Sequence, residues 1–225
     1  MSKINELIYS VREAVKETID DTEISDSYIL YLYGIKRSKF IRQQINSFQR
    51  VIDITVQQTL CIDTEVVDAN ECGVESCDVL VRSSKPLPDL IQLNDKSAII
   101  KVGAPNRISR PFNFVKREKA VYSKNSPFPN SIYSFLHTDN HIYLTSSSEA
   151  VKLIDCITVI GVFENPLDLR EFNDCCGCNK TDKCFTDDSE YPLQSHLIDV
   201  CREEVINDIL RTKQIVEDKN NNSND

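Results

Sequence analysis

Four thiols crowd into one run, Cys175-Cys176-Gly177-Cys178-Asn179-Lys180-Thr181-Asp182-Lys183-Cys184, and zinc binding is the chemistry such a run suggests. Cys175 and Cys178 stand at the C-x2-C spacing in which a turn aims two sulfurs at one ion, and Gly177 permits the turn. One such pair is half a site. Cys176 and Cys184 would have to complete it, or Cys72 and Cys77 from Cys72-Gly73-Val74-Glu75-Ser76-Cys77. The competing reading is an acidic surface loop with reduced, unliganded thiols, because a zinc ribbon carries a second C-x2-C pair and this chain has none. The chain holds nine cysteines. It opens on an amphipathic stretch, residues 6–20, rather than an apolar leader, so reduced thiols or metal are expected and a disulfide framework is not.

The other candidate chemistry is thin. His137 and His141 have H-x3-H spacing, but Leu136-His137-Thr138-Asp139-Asn140-His141-Ile142-Tyr143 reads as two strands joined by a tight polar turn. Turn-exposed histidines are expected there, not a metal pair. His196 falls in the first turn of the last helix, where a surface or inter-subunit role fits better than catalysis. There is no G-x-S-x-G, no Gly-rich phosphate loop and no H-E-x-x-H, and the chain has only 5 glycines. A Cys–His pair meeting in space stays open as a hydrolase reading. No cysteine is marked as activated, and no enzymatic activity and no cofactor other than zinc are expected.

Charge narrows the partners. A formal net charge of -9 and a pI near 4.9 leave no chain-wide basic field to hold nucleic acid by counterion release. Such a surface suits DNA that must slide past without sticking. No apolar run approaches the roughly 20 residues that span a bilayer, so a soluble protein without a membrane partner is expected.

The elements that position these residues fall into a helical, then a strand-rich, then a helical region. Ile4, Leu7, Ile8, Val11 and Val15 form one helical stripe. Asp20-Asp21-Thr22-Glu23 interrupts it, and Ser25 or Asp26 caps a second helix that continues to about Thr59. Lys36, Arg37, Lys39, Arg42 and Arg50 are placed on its polar side. Residues 61–162 hold nearly all the strand-like sequence, in short β-branched and aromatic runs separated by Gly, Pro, Asn, Asp and Ser. The runs are Thr64-Glu65-Val66-Val67, Asp78-Val79-Leu80-Val81, Ala98-Ile99-Ile100-Lys101-Val102, Ser131-Ile132-Tyr133-Ser134-Phe135-Leu136, His141-Ile142-Tyr143-Leu144-Thr145 and Ile157-Thr158-Val159-Ile160-Gly161-Val162. Pro192 opens a final helix with Leu193, Leu197, Ile198, Val200, Cys201, Val205, Ile209 and Leu210 on its apolar side.

The expected class is therefore α+β: a small helical bundle built from both chain ends, with an inserted β-rich domain, sandwich or barrel-like. The divisions are N-terminal helices at 1–60, the β-rich domain at 61–163, a Cys-rich loop at 164–190, the C-terminal helix at 191–216 and a disordered tail at 217–225.

Three segments carry a resemblance. The opening helix pair runs Leu7-Ile8-Tyr9-Ser10-Val11-Arg12-Glu13, then, past the acidic break, Ile24-Ser25-Asp26-Ser27-Tyr28-Ile29-Leu30-Tyr31-Leu32. The β-domain contributes Cys77-Asp78-Val79-Leu80-Val81-Arg82-Ser83 before Lys85-Pro86-Leu87-Pro88, and later Ile160-Gly161-Val162-Phe163-Glu164-Asn165-Pro166. The close is Tyr191-Pro192-Leu193 into an amphipathic helix and then Val216-Glu217-Asp218-Lys219-Asn220-Asn221. In this layout the chain resembles the virion structural proteins of crAss-like phages that form rings between portal and tail. It is similar more distantly to head-to-tail adaptors of other short-tailed phages.

The resemblance implies a non-enzymatic subunit of a homo-oligomeric ring, in twelve copies, within the virion neck or tail and made in the host cytoplasm. It further implies contact with the portal and other ring proteins, and a lumen that passes DNA without binding it specifically. The residues placed at subunit contacts are Tyr28, Tyr31, Arg37, Arg42 and Arg50 on the N-terminal helices, with Arg202 and Arg211 on the last. Arg and Tyr supply large, oriented contact area. A zinc-stapled protein-interaction module is the alternative, with Cys175, Cys176, Cys178 and Cys184 as its ligands.

Overall fold

A computed structural model describes residues 3–18, 24–47, 51–68, 80–94, 96–105, 111–120, 131–172, 186 and 188–217. The chain divides into two compact units, one formed by Met1–Val56 with Thr186–Asp225, the other by Gln57–Phe185. The class is mixed α+β, helical at both ends and β-rich between, as the pattern of the sequence indicates.

In the first unit, α1 (Ile4–Lys16) buries Ile4, Leu7, Ile8, Val11 and Val15, the stripe expected from their spacing. The Lys3 backbone N–H donates to the Glu6 carboxylate at 3.0 Å, which satisfies an amide at the helix start. Helix α2 (Asp26–Arg42) is capped by Ser25, whose hydroxyl accepts from the Tyr28 N–H. It stops well short of Thr59: a π-helical turn at Gln43–Ser47 follows, then a 3-10 turn at Ile54–Val56. Two forces end the helix. Asp53 draws the Thr55 N–H and hydroxyl to its carboxylate at 2.8 and 2.6 Å, which competes with helical bonding. The chain from Gln58 onward is then claimed by a β-ladder.

The C-terminal helix begins at Ser195, three residues after Pro192. Leu193 N–H donates to the Tyr191 carbonyl at 2.7 Å, so Pro192 sits in a tight turn ahead of the helix. Ile198, Cys201, Val205 and Ile209 form its buried face. With the four-residue α3 of the second unit (Arg117–Ala120) between them, this last helix is α4 (Ser195–Glu217). Lys36 on α2 pairs with Asp208 at 2.5 Å and Glu204 at 3.3 Å, and Lys39 with Glu204 at 2.9 Å, aligning the two helices.

The second unit is a seven-stranded sheet in the order β3-β7-β1-β2-β6-β5-β4. The strands are β1 (Gln58–Val67), β2 (Leu80–Ser83), β3 (Ile99–Gly103), β4 (Asn113–Phe114), β5 (Tyr133–Leu136), β6 (Ile142–Thr145) and β7 (Cys156–Gly161). All pairs are antiparallel except β4 with β5. β1 is the spine: residues 58–63 pair with β7 and residues 64–67 with β2. The edge strands β3 and β4 come together through a bond from the Phe112 N–H to the Val102 carbonyl at 2.7 Å, so the sheet curls into a nearly closed barrel. A register shift at Ile100 bends β3. Beside it Gly161 lets the Ala98 carbonyl approach, since a Cβ there would lie 3.1 Å from that oxygen.

Inside, the register partners Phe135 and Tyr143 stack with centroids 5.5 Å apart, against Leu80 and Ala120. The two-residue β4 carries no strand signature in sequence. Asp78 and Val79, expected in β2, lie outside the described residues.

Candidate interaction surfaces

Helix α2 has apolar residues on two sides. Ile29, Leu30, Leu32, Tyr33, Phe40 and Ile41 are buried, yet Tyr28, Tyr31 and Ile35 are 39%, 63% and 46% exposed. At 100° per residue these three share one arc of the helix, an i, i+3, i+7 stripe turned to solvent. Ile35 follows the buried Leu32 at i+3 yet belongs to the exposed stripe. The signal was available in Tyr28 and Tyr31, aromatic residues that the buried arc does not need.

The arginines placed at contacts separate. Arg37 is wholly buried, which overturns its expected position on a polar face. Its Nε donates to the Pro192 carbonyl at 2.8 Å and its Nη2 to the Val56 carbonyl at 3.2 Å. Burial holds its pKa down to about 10, still charged at neutral pH. Arg37 thus clamps two chain segments of its own fold and offers nothing to a partner. Arg42 and Arg202 are half-buried, the latter paired with Asp199 at 3.2 Å, and Arg211 is exposed. Arg50 lies outside the described residues, as do Cys175, Cys176, Cys178 and Cys184 with Cys72 and Cys77.

Three cysteines are among the described residues and none forms a disulfide there: Cys61 and Cys201 are buried and Cys156 is half-buried. Burial, with Glu204 nearby, pushes the Cys201 thiol up to about 12, the opposite of an activated nucleophile. Among the described residues no group of three or more His, Cys, Asp or Glu is arranged to hold a metal ion.

The histidines flank the β5–β6 turn as the pattern indicates, but both are half-buried rather than exposed, because their rings pack against the hairpin and its neighbours. His141 Nδ1 lies 2.6 Å from the Ser83 carbonyl, which fixes the proton on that nitrogen. Asp139 accepts from the His141 N–H and the Tyr143 hydroxyl at 2.9 and 2.8 Å. Partial burial works against those bonds, yet they hold the Asp139 carboxyl below the usual range. The two rings are anchored separately and do not converge on one point.

The barrel carries a second surface. A cleft of about 630 Å3 is lined by residues from 94–97, 114–118 and 136–138. Its lining includes the apolar Phe114, Val115 and Leu136 and the basic Lys96, Lys116, Arg117 and His137, with Glu118 the acid among the described lining residues. Sequence reading had no means of finding it, because its residues come from three separated segments.

The sequence pattern of a family described as phage tail ring protein 2 matches residues 6–225. The chain belongs to the phage tail ring protein 2 family. Ring protein 2 of Bacteroides phage crAss001 is similar to this family member, 21% identical over 224 residues that cover 98% of this chain and 96% of the relative. The resemblance to crAss-like phage ring proteins drawn from the helix pair, the β-domain and the close is borne out. A phage ring protein is a structural component. Among the described residues no helix is long and apolar enough to cross a membrane.

Proposed function

We propose that this family member is a non-enzymatic subunit of a homo-oligomeric ring in the connector between portal and tail of the virion. The observation that carries the reading is the Tyr28–Tyr31–Ile35 stripe. A helix that buries one apolar side in its own fold and presents a second to water is shaped for a neighbouring chain. Twelve copies stacked below the portal, with other ring proteins beneath, are the arrangement proposed. The net charge of -9 favours a lumen through which DNA passes without being gripped.

Native mass spectrometry of the purified chain, without reductant or chelator, tests this and reports metal in the same spectrum. Closed higher oligomers free of zinc support the ring. Tyr31→Ala should keep the fold and weaken assembly by roughly 1–3 kcal/mol per contact, the range of an interfacial aromatic anchor. A monomer carrying one zinc, and still monomeric with portal protein added, would instead favour the zinc-stapled interaction module built on Cys175, Cys176, Cys178 and Cys184.

A further inference from the structure

A cyclic ring of identical subunits needs two different patches on each chain, one accepting the other around the circle, unlike the self-complementary patch of a two-fold dimer. The barrel unit holds such a pair. The first is the cleft beside β4 and β5, lined by Lys96, Lys116 and Arg117 in a chain whose net charge is -9. His137 also lines it, and its Nε2 is buried without a hydrogen-bond partner among the described residues. A buried imidazole nitrogen left so is costly unless a group arrives from outside.

The second patch is the 3-10 segment Pro166–Phe172, tied to β1 by a bond from the Gln58 side chain to the Pro166 carbonyl. It presents Asp168 and Glu171, both exposed, with the exposed Arg170 between them, so the ledge carries a net charge of -1. Partial burial and the charges of Glu171 and Asp89 raise the Asp168 carboxyl, against the bond donated by Asn165. The acidic segment follows β7 and is tied to β1, while the cleft is lined by residues that adjoin β4 and β5.

We propose that the cationic cleft of one barrel receives the Asp168–Glu171 ledge of a second copy of this chain, forming the head-to-tail contact that closes the ring. This rests on the ring reading above and specifies its contact. Charge complementarity selects the occupant, and opposed patches of this kind set register as well as attraction.

The test is a charge swap read by native mass spectrometry and mass photometry across a dilution series. Lys116→Glu with Arg117→Glu should raise the half-assembly concentration roughly 100-fold, because like charges then face each other at two positions. Asp168→Lys with Glu171→Lys should do the same. All four substitutions in one chain restore the match and should return assembly to within about threefold of wild type. Circular dichroism of each species checks the fold, and Lys116→Ala with Arg117→Ala serves if the reversal unfolds the barrel. Wild-type-like assembly by both double variants, or no rescue by the folded quadruple variant, overturns the contact and leaves the ring intact. A wild-type chain that never oligomerises, with or without portal, overturns the ring reading and this contact together. Binding of a duplex oligonucleotide that the Lys116 and Arg117 reversals abolish, with assembly unchanged, would reassign the cleft to nucleic acid.

Discussion

Arg37 offers the sharpest test of how the helical unit holds together, because two large terms oppose each other there. Its two bonds to the Pro192 and Val56 carbonyls join segments 155 and 19 residues away in sequence. Bonds from a charged donor contribute about 1.5–3 kcal/mol each, so together about 3–6 kcal/mol. Against this stands desolvation: a guanidinium pKa held down to about 10, well below its ordinary value, corresponds to about 3 kcal/mol of penalty on the charged form. Arg37→Ala loses the bonds and the packing of the aliphatic stem, recovers the desolvation cost, and should destabilise the unit by about 2–5 kcal/mol. Arg37→Met keeps most of the stem and removes the charge, but leaves two buried carbonyls without their donor. It should cost about 1–2 kcal/mol, less than Ala and still more than nothing. Urea unfolding followed at 222 nm, where α1, α2 and α4 dominate the signal, measures both, and amide exchange along α4 localises the loss. A Met variant as stable as wild type, or more so, would show that desolvation outweighs the clamp and that the reasoning is wrong.

Asn140 has φ 60° at the hairpin tip. Asn140→Ala should cost about 1 kcal/mol from the left-handed backbone, while Asn140→Gly should stay within about 0.5 kcal/mol of wild type, both read by chemical denaturation. Cys201, buried and held as the thiol, should resist iodoacetamide at pH 8 in the native chain while half-buried Cys156 is modified; peptide mapping showing equal labelling would contradict its placement. Glu204 is held below the ordinary carboxylate range, mainly by the bond from Lys39 with Lys36 adding to it and burial working against it. A depressed carboxylate stabilises the fold above its unfolded pKa and loses that contribution as pH falls through the folded value. Between pH 6 and 3 wild type should therefore lose roughly 0.5–1 kcal/mol more than Glu204→Gln, a modest figure because the pair is partly exposed.

Much of the fold was legible because it is written locally. The α1 stripe needs only the spacing of Ile4, Leu7, Ile8, Val11 and Val15, and the Ser25 cap only its own side chain. The six strand runs announce themselves by β-branching and by the turns between them. What could not be read depends on partners far along the chain. Arg37 looks like one of several bases on α2, and nothing nearby says that Pro192 and Val56 will bury it. The end of α2 was misplaced for the same reason, since residues 51–56 carry apolar side chains at plausible helical spacing until β7 claims the chain that follows. Tyr28 and Tyr31, which the sequence places at contacts, do lie exposed on α2. The cleft was not legible, because Lys96, Lys116 and His137 meet only when the sheet curls.

The double pairing of β1 also governs when this protein can exist at all. Cys61 faces Thr158 across the ladder, 97 residues away in sequence. A ribosome adding about 5–20 residues per second needs about 5–20 s to deliver β7 after β1 has emerged. Contacts of such long range fold slowly even once the chain is complete. The helical unit waits longer still, because α4 supplies one wall of its core. The nascent chain is thus a sticky intermediate, with the Tyr28–Tyr31–Ile35 stripe present before any finished subunit is there to meet it. Fusing α4 ahead of α1 by circular permutation would let the bundle close early, and yield of soluble protein would report whether translation timing limits production.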